Sequence, residues 1–234
     1  MDTGYHVNER NRRIVRAITR RLFSILTRWE VQGVENIPPR GPLIVYANHQ
    51  NHIDGNILIA AMPWGISYMA TVDLWSVPVT GQLLRLYGAI QLHRGEVDRN
   101  ALRQAYGVLA ERDGGVIGIF PEGTQSPTGQ LIRARAGASY LARQSGRPLL
   151  PVGLVGMDRL YDGWARRERS RITVVVGKPY TLPPKNPAVG RREDLQAMTD
   201  LMMLRLAALL PDDYQGVYRE RLAQARGAGL GADV

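Results

Sequence analysis

The sequence predicts one α/β domain with a mostly parallel central sheet flanked by helices, preceded by a basic amphipathic helical segment. From Gly33 onward, short apolar runs rich in β-branched residues alternate with segments of helical periodicity. The chain has 234 residues, of which 44% are hydrophobic, and this suits one sizeable core. We therefore predict an N-terminal helical segment over residues 1–30 and a single domain over residues 31–234.

The first predicted element is a helix from Asn8 to Trp29. Its apolar residues recur at helical spacing along one stripe: Ile14, Ile18, Leu22, Ile25, Leu26 and Trp29. Arginines lie on the flanks of that stripe. A basic amphipathic helix of this kind can lie in a membrane interface with its arginines toward anionic headgroups. It can equally pack its stripe on the core and leave its charged face in water.

The later elements alternate between strand and helix. Strands are predicted at Leu43–Ala47, Gly65–Thr71, Ala89–His93, Val116–Phe120, Leu149–Leu154 and Arg171–Val176. Helices are predicted at Asn56–Met62, Val77–Leu86, Asp98–Arg112, Ala134–Gln144, Arg192–Leu210 and Tyr214–Ala225. Because helices that connect successive strands usually make those strands parallel, the alternation favours a largely parallel sheet.

Charge and composition narrow the possible partners. The net charge is +9, nearly all of it from arginine, since Lys178 and Lys185 are the only lysines. Such a protein attracts nucleic acid, anionic lipid headgroups or phosphorylated metabolites. A nucleic-acid partner is not favoured, because the sequence has neither zinc-finger spacing nor an aromatic RNA-binding strand. The absence of cysteine excludes disulfides, thiolate metal sites and cysteine nucleophiles.

Hydropathy favours attachment to one side of a membrane over a membrane span. No apolar stretch reaches the roughly 18–20 residues that cross a bilayer. No uninterrupted apolar segment of a signal peptide follows the N-terminal charges. We therefore expect a peripheral or monotopic protein on the cytoplasmic face of a membrane, with no transmembrane span.

The most informative motif is the pair His49 and Asp54 in the run that starts at Asn48. The run follows the predicted strand Leu43–Ala47, and ligand crevices of α/β folds form at such strand ends. A carboxylate that holds an imidazole in one tautomer makes a good general base for a hydroxyl. His49, His52 and Asp54 could instead ligate a metal, but zinc usually requires further ligands in a cage, so we expect no metal.

Three further segments lie at or near predicted strand ends. Arg94 follows a short strand and offers a permanent charge for phosphate, although a plain surface arginine has the same pattern. An apolar strand with a proline contains Pro151. The third segment is the run Phe120-Pro121-Glu122-Gly123-Thr124. It suits either a loop that grips a polar ligand or a capped turn before a helix.

These four segments together resemble the glycerolipid acyltransferase family, typified by 1-acyl-glycerol-3-phosphate acyltransferases. That family has an Asn-His-x4-Asp block, a Gly…Arg block, a Phe-Pro-Glu-Gly-Thr block and a proline-bearing apolar block. All four occur here in that order between Asn48 and Pro151, and the resemblance covers roughly residues 31–179. The first and third blocks are specific to the family. The second and fourth are informative only because they occur together with the first and third.

The resemblance implies a role for each matching residue. His49 would be the general base and Asp54 would orient it, while the acceptor hydroxyl attacks the thioester of acyl-CoA or an acyl-carrier protein. Arg94 would bind the acceptor's phosphate. The remaining acceptor-binding residues would be Glu122, Gly123, Thr124 and Arg135. No cofactor other than the acyl donor is implied, and the expected partners are the donor, a lysophospholipid and an anionic membrane surface.

Two departures from the family pattern leave the acceptor open. The third block often continues Thr-Arg-Ser, but here Gln125 takes the arginine's place, and Arg135 stands near a position that is often lysine. Lysophosphatidate is the expected acceptor, whereas another lysolipid, a glycolipid or an amino-lipid alcohol are alternatives. Two other functions are a non-catalytic lipid-binding relative and a hydrolase in which water replaces the acceptor.

Overall fold

The computed structural model describes residues 8–93, 98–111, 114–185 and 187–227. The strands are β1 (Thr27–Gln32), β2 (Leu43–Ala47), β3 (Ser67–Thr71), β4 (Ile90–Leu92), β5 (Val116–Ile119), β6 (Leu149–Val155) and β7 (Ser170–Val176). The helices are α1 (Glu9–Leu26), α2 (Asp54–Ala61), α3 (Pro78–Tyr87), α4 (Arg99–Leu109), α5 (Gly137–Ser145), α6 (Leu160–Ala165), α7 (Arg191–Ala207) and α8 (Arg219–Gly227).

The strands form one seven-stranded sheet in the order β1-β7-β6-β2-β5-β3-β4. Each neighbouring pair is parallel except β6 and β7, which run antiparallel. The predicted α/β class with a mostly parallel sheet is confirmed.

The sheet is buried on both faces, and its central strand β2 shows this directly. Leu43, Val45 and Ala47 belong to one apolar cluster, which includes α2 and β7. Ile44 and Tyr46 belong to the opposite cluster, built with α4, α5 and α7. Because successive strand residues point to opposite faces, a central strand covered by helices on both sides needs a continuous apolar run.

The predicted helix from Asn8 to Trp29 is too long at its C-terminal end. Helix α1 ends at Leu26, and residues 27–32 form β1, which pairs in parallel with β7 at the edge of the sheet. Residues 27–30 of the predicted N-terminal segment therefore belong to the sheet. In β1 more buried and less buried residues alternate, as expected of a strand. In the sequence this alternation is hard to see, because Trp29 also continues the apolar stripe of the helix.

Other elements differ from prediction by smaller amounts. Helix α6 was not predicted, since it is a short helix of mixed character between β6 and β7. The predicted last helix begins later, because two 3₁₀ turns at Asp212–Tyr214 and Gly216–Tyr218 precede α8. The other predicted strands and helices are found with their ends shifted by a few residues.

Helix α1 is held to the domain by a partly polar face. Arg12 is buried, and its guanidinium donates to the Tyr87 carbonyl (3.2 Å) and to the Ser67 hydroxyl (2.5 Å). Thr19 and Phe23 are the other buried residues of this face. The apolar stripe is turned away from the core, and its exposed members are Ile14, Ile18, Leu22, Ile25 and Leu26. Among the described helices, none combines the length and the apolar character that crossing a bilayer requires.

Candidate active site

The sheet topology brings the predicted site residues together at the carboxyl ends of neighbouring strands. His49 follows β2, and Glu122 follows β5, which pairs with β2 in parallel. Pro151 lies in β6 on the other side of β2, opposite Tyr46. Because parallel strands end at the same edge, a crevice at this edge is the expected place for a ligand in an open α/β sheet.

His49 and Asp54 form a hydrogen-bonded pair. The distance from His49 Nδ1 to Asp54 Oδ2 is 2.8 Å. The Asp54 side chain is fully buried, whereas 19% of the His49 side chain is exposed. With its Nδ1–H donated to Asp54, the imidazole has Nε2 as the nitrogen available to accept a proton. The predicted proximity of these two residues is confirmed, and the arrangement suits a general base.

The backbone of the same loop also binds the Asp54 carboxylate. Oδ2 accepts hydrogen bonds from the backbone N–H groups of Gln50 (2.5 Å) and Asn51 (2.7 Å). Burial raises the pKa of Asp54, while the bonds from His49 and these two N–H groups lower it. The loop is thus shaped to hold a carboxylate that burial alone would disfavour.

Asn48 anchors the loop to the sheet. Its Nδ2 donates to the Leu154 carbonyl (2.8 Å), and its Oδ1 accepts from the Leu154 N–H (2.7 Å). Asn51 Nδ2 makes a further bond to the Met157 carbonyl (3.2 Å). Both asparagines are buried, so the position of His49 is determined by paired amides on each side of it. Neither asparagine is among the site residues predicted from the sequence.

Phe120 is a second site residue that the sequence analysis missed. Its ring stacks on the His49 imidazole with a centroid distance of 4.2 Å and an interplanar angle of 17°. The stack holds the imidazole plane against the sheet. Only the adjacency of Phe120 to the Pro-Glu-Gly-Thr run hinted at this contact.

Both carboxylate oxygens of Glu122 bind backbone groups. Oε1 accepts from the His49 N–H (2.8 Å) and Oε2 from the Ile132 N–H (3.1 Å). Burial raises the pKa of Glu122 to about 7, against the lowering effect of these two bonds, and the Asp54 charge raises it further. Glu122 therefore braces the backbone of the general-base candidate, while its contact with an acceptor stays a prediction.

Gly123 and Arg135 lie side by side. The Gly123 N–H closes a turn on the Phe120 carbonyl (3.0 Å), and the residue has a φ of +69°. A Cβ at this position would lie 3.0 Å from Arg135 Cδ, so glycine leaves room for the arginine side chain across the turn. Arg135 and Thr124 are exposed next to this turn, and their binding of an acceptor stays a prediction.

The remaining sequence-predicted residues are less informative. Arg94 lies outside the described residues. His52, the third member of the metal alternative, is exposed, and its Nδ1 lies 2.7 Å from Gln125 Nε2. Within the described parts of the chain, no three His, Asp or Glu side chains are grouped so that they could hold a metal ion.

A family model described as Acyltransferase matches residues 28–155, from β1 to the end of β6. The 1-acyl-sn-glycerol-3-phosphate acyltransferase of Pseudomonas aeruginosa is 32% identical over 153 residues, which are 64% of this chain and 58% of that protein. The protein of the same name from Borreliella burgdorferi is 29% identical over 131 residues, 56% of this chain. This chain spans about half the length of the Borreliella protein, at 52%.

More distant relatives extend the match over most of the chain. The human 1-acyl-sn-glycerol-3-phosphate acyltransferase alpha is 26% identical over 208 residues, covering 86% of this chain and 68% of that protein. The crystal structure of a 1-acyl-sn-glycerophosphate acyltransferase, PlsC, from Thermotoga maritima has a TM-score of 0.63 at 24% identity. The match covers 92% of this chain and 79% of the Thermotoga chain, and it supports the fold.

Proposed function

The chain belongs to the acyltransferase family, and from this premise we propose that it transfers a fatty acyl group to the free hydroxyl of a lysophospholipid. The donor is acyl-CoA or an acyl-carrier protein. The acceptor is 1-acyl-glycerol-3-phosphate, the product is phosphatidic acid, and the donor is the only co-substrate required. The observation that carries the proposal is the bond between His49 Nδ1 and the buried Asp54 carboxylate (2.8 Å).

The proposed reaction is a direct transfer. His49 Nε2 takes the proton from the acceptor hydroxyl as the oxygen attacks the thioester carbonyl, and Asp54 stabilises the imidazolium that forms. Collapse of the tetrahedral intermediate forms the ester and breaks the C–S bond, and the imidazolium returns its proton to the leaving thiolate. No acyl-enzyme is needed, which agrees with a chain that has no cysteine.

The neighbouring basic residues support an anionic acceptor. Arg135 lies against Gly123 at the turn that follows β5, and Arg94 follows β4 along the chain. We assign Arg94 to the acceptor phosphate, and Arg135, Gly123 and Thr124 to further contacts with the acceptor. The relatives from Pseudomonas and Borreliella are named for 1-acyl-glycerol-3-phosphate, which favours this acceptor over another lysolipid.

The assay that tests the proposal measures thiol release from palmitoyl-CoA, and separately from an acyl-carrier protein, against a panel of lysophospholipids in vesicles. We expect release that requires lysophosphatidate, and product phosphatidic acid by mass. A preparation of His49→Ala serves as the background control. Release without any acceptor would identify a hydrolase instead, and no release with any donor and acceptor would leave a lipid-binding relative as the function.

We further propose that α1 docks on an anionic membrane surface from the cytoplasmic face. Its stripe exposes Ile18 (55%) and Leu22 (51%) to solvent. By helical spacing, two exposed arginines flank this stripe: Arg10 and Arg21. Burial of the stripe in the interface, with arginines at the headgroups, is favourable for a helix of this kind.

Vesicle sedimentation tests this docking without changing the buried face of α1. The double substitution Ile18→Gln and Leu22→Gln should weaken binding to phosphatidylglycerol vesicles about 30-fold, since each half-exposed side chain loses roughly 1 kcal/mol of apolar burial. The matched control replaces Val34 and Val217, two exposed apolar residues outside α1, and should bind like the unaltered protein. Equal weakening by both double variants would contradict the docking proposal.

A further inference from the structure

Three buried polar atoms in or around the His49 loop have no hydrogen-bond partner. They are Gln50 Oε1, the Tyr68 hydroxyl and Oδ1 of Asp54, the oxygen that does not contact His49. The Asp54 residue is 0% exposed and Tyr68 is 8% exposed. An unpaired polar atom in a buried position costs free energy, and native proteins usually satisfy such atoms, often with one ordered water.

The strand register aims Tyr68 at the first turn of α2. Tyr68 in β3 is paired with Gly118 in β5. A Cβ on Gly118 would lie only 2.4 Å from Tyr68 Cε1, so the tyrosine ring crosses the space that a side chain there would fill. At its far end, Cε1 and Cζ lie 3.9 Å from where a Cβ on Gly55 would be. Gly55 directly follows Asp54.

The same ring belongs to the aromatic stack behind the imidazole. Tyr68 and Phe120 stack with centroids 6.2 Å apart and an interplanar angle of 12°. Phe120 in turn stacks on His49 at 4.2 Å. Phe120 therefore connects the Tyr68 ring to the His49 imidazole. The hydroxyl end of Tyr68 lies next to Gly55, the residue that follows Asp54.

The geometry points to a buried water that joins the Tyr68 hydroxyl to Asp54 Oδ1, which makes Tyr68 a positioning residue of the His49–Asp54 pair. The tyrosine O–H donates to the water, and the water donates to the carboxylate. The two groups interact electrostatically, since the Asp54 charge raises the pKa of Tyr68 beyond the effect of burial and of Tyr87. This inference rests on the proposed function, because the pair is the proposed general base.

The bridge would stabilise the ionised carboxylate that burial disfavours. The titratable groups around Asp54 are His49 in its own loop, Tyr68 in β3 and Glu122 after β5, with Tyr87 of α3 behind Tyr68. Of these, Tyr68 is the one whose hydroxyl is buried and has no hydrogen-bond partner. Loss of the hydroxyl should leave Asp54 more basic, so that it binds the imidazolium proton of His49 more tightly.

The substitution Tyr68→Phe tests the bridge, because it removes the hydroxyl and keeps the ring in the stack. We expect the Asp54 carboxyl pKa, followed by its ¹³C resonance in the full chain, to rise by about 0.5 unit. The acid limb of kcat/KM should move upward by a similar amount while KM stays unchanged. Tyr87→Phe is the control, since the Tyr87 hydroxyl accepts from the Ile66 N–H (3.4 Å). It should move neither measurement.

An Asp54 titration that is the same in Tyr68→Phe and in the unaltered protein would overturn the inference. A loss of rate at every pH with no movement of the acid limb would also overturn it, since that is the result of a purely structural role. The resonance measurement needs no acyl donor or acceptor. It therefore still tests the bridge if no acyl transfer is found, and failure of the proposed function can be told from failure of the inference.

Discussion

Two His–Asp pairs in this chain have the same spacing and the same bond but different surroundings. His49 and Asp54 are five positions apart, as are His93 and Asp98, and each pair joins Nδ1 to Oδ2 at 2.8 Å. Only 19% of the His49 side chain is exposed, whereas 67% of the His93 side chain is. The spacing therefore places a carboxylate beside an imidazole in both pairs, and the two pairs differ in the exposure of the histidine, since the Asp98 side chain is only 8% exposed.

The two carboxylates respond to these surroundings in opposite directions. Burial raises the pKa of Asp54. In contrast, backbone N–H bonds from Ala101 and His93 lower the pKa of Asp98 to about 2. Asp98 caps the N-terminus of α4, accepting from the N–H groups of Asn100 and Ala101. Asp98 is therefore a helix cap, whereas Asp54 holds the proposed general base.

Matched histidine substitutions should give the largest difference between the pairs. Replacing His49 with Gln should reduce acyl transfer by about 10⁴-fold, because the glutamine amide cannot accept the acceptor's proton. His93→Gln should stay within about twofold of the unaltered rate. The measurement is kcat/KM for thiol release, with circular dichroism as the check on folding. Similar losses in both variants would mean that the burial difference does not separate their roles.

Removing the carboxylate charge should give the next largest effect. In Asp54→Asn the amide can still bond to His49, but the ring tautomer is no longer set, and we expect a loss of about 10²- to 10⁴-fold in kcat. Asp98→Asn should leave kcat nearly unchanged. An unchanged kcat in Asp54→Asn would break the assignment of Asp54 as the residue that orients the base.

The sequence predicted one of these pairs and not the distinction between them. His49 stood out because it follows a long apolar strand, and the strand β2 was predictable from its β-branched run. His93 follows the short strand β4 and has the same partner spacing. Phe120 packs on His49, and this contact joins the ends of two strands, β2 and β5, that are far apart in the sequence. The sequence around either histidine does not indicate such a contact.

The sequence also does not show which residues support the site from behind. Glu122 was expected to grip the acceptor, yet both of its oxygens bond to backbone N–H groups. No sequence pattern at Tyr68 itself indicates a role in the site. The one indication is Gly118, because a glycine inside an apolar strand often marks the close approach of a neighbouring side chain, here Tyr68. Strand β1 is not predicted, because Trp29 fits both the helical spacing of the apolar stripe and the alternation of a strand.

Glu122, which bonds to the backbone of His49, should affect the pH dependence of stability. The pKa of Glu122 is raised from 4.5 to about 7 in the folded protein. Its contribution to stability is therefore complete below pH 4.5 and is lost as the pH rises through 7, by on the order of 3 kcal/mol. Glu122→Gln should flatten this decline between pH 5 and 8.

Urea unfolding at a series of pH values measures this slope. Glu30→Gln is the control, since Glu30 is exposed in β1 and should leave the slope unchanged. Glu122→Gln lowers stability at every pH by placing an amide donor near an N–H group, so the test is the slope and not the absolute stability. An equally steep decline in Glu122→Gln would show that other groups, such as Asp54, cause it.

The pair whose histidine is exposed, His93 and Asp98, should show the smallest effect on stability, and at lower pH than Glu122 does. Because the pKa of Asp98 is lowered, its contribution is complete above pH 4 and is lost as the pH falls toward 2. Asp98→Ala should cost about 1 kcal/mol of unfolding free energy near pH 7, as the loss of a helix cap does. Asp98→Asn should lose less, because asparagine also caps well. If Asp98→Ala instead abolished acyl transfer in a folded protein, the second pair would have to be placed in the catalytic machinery too.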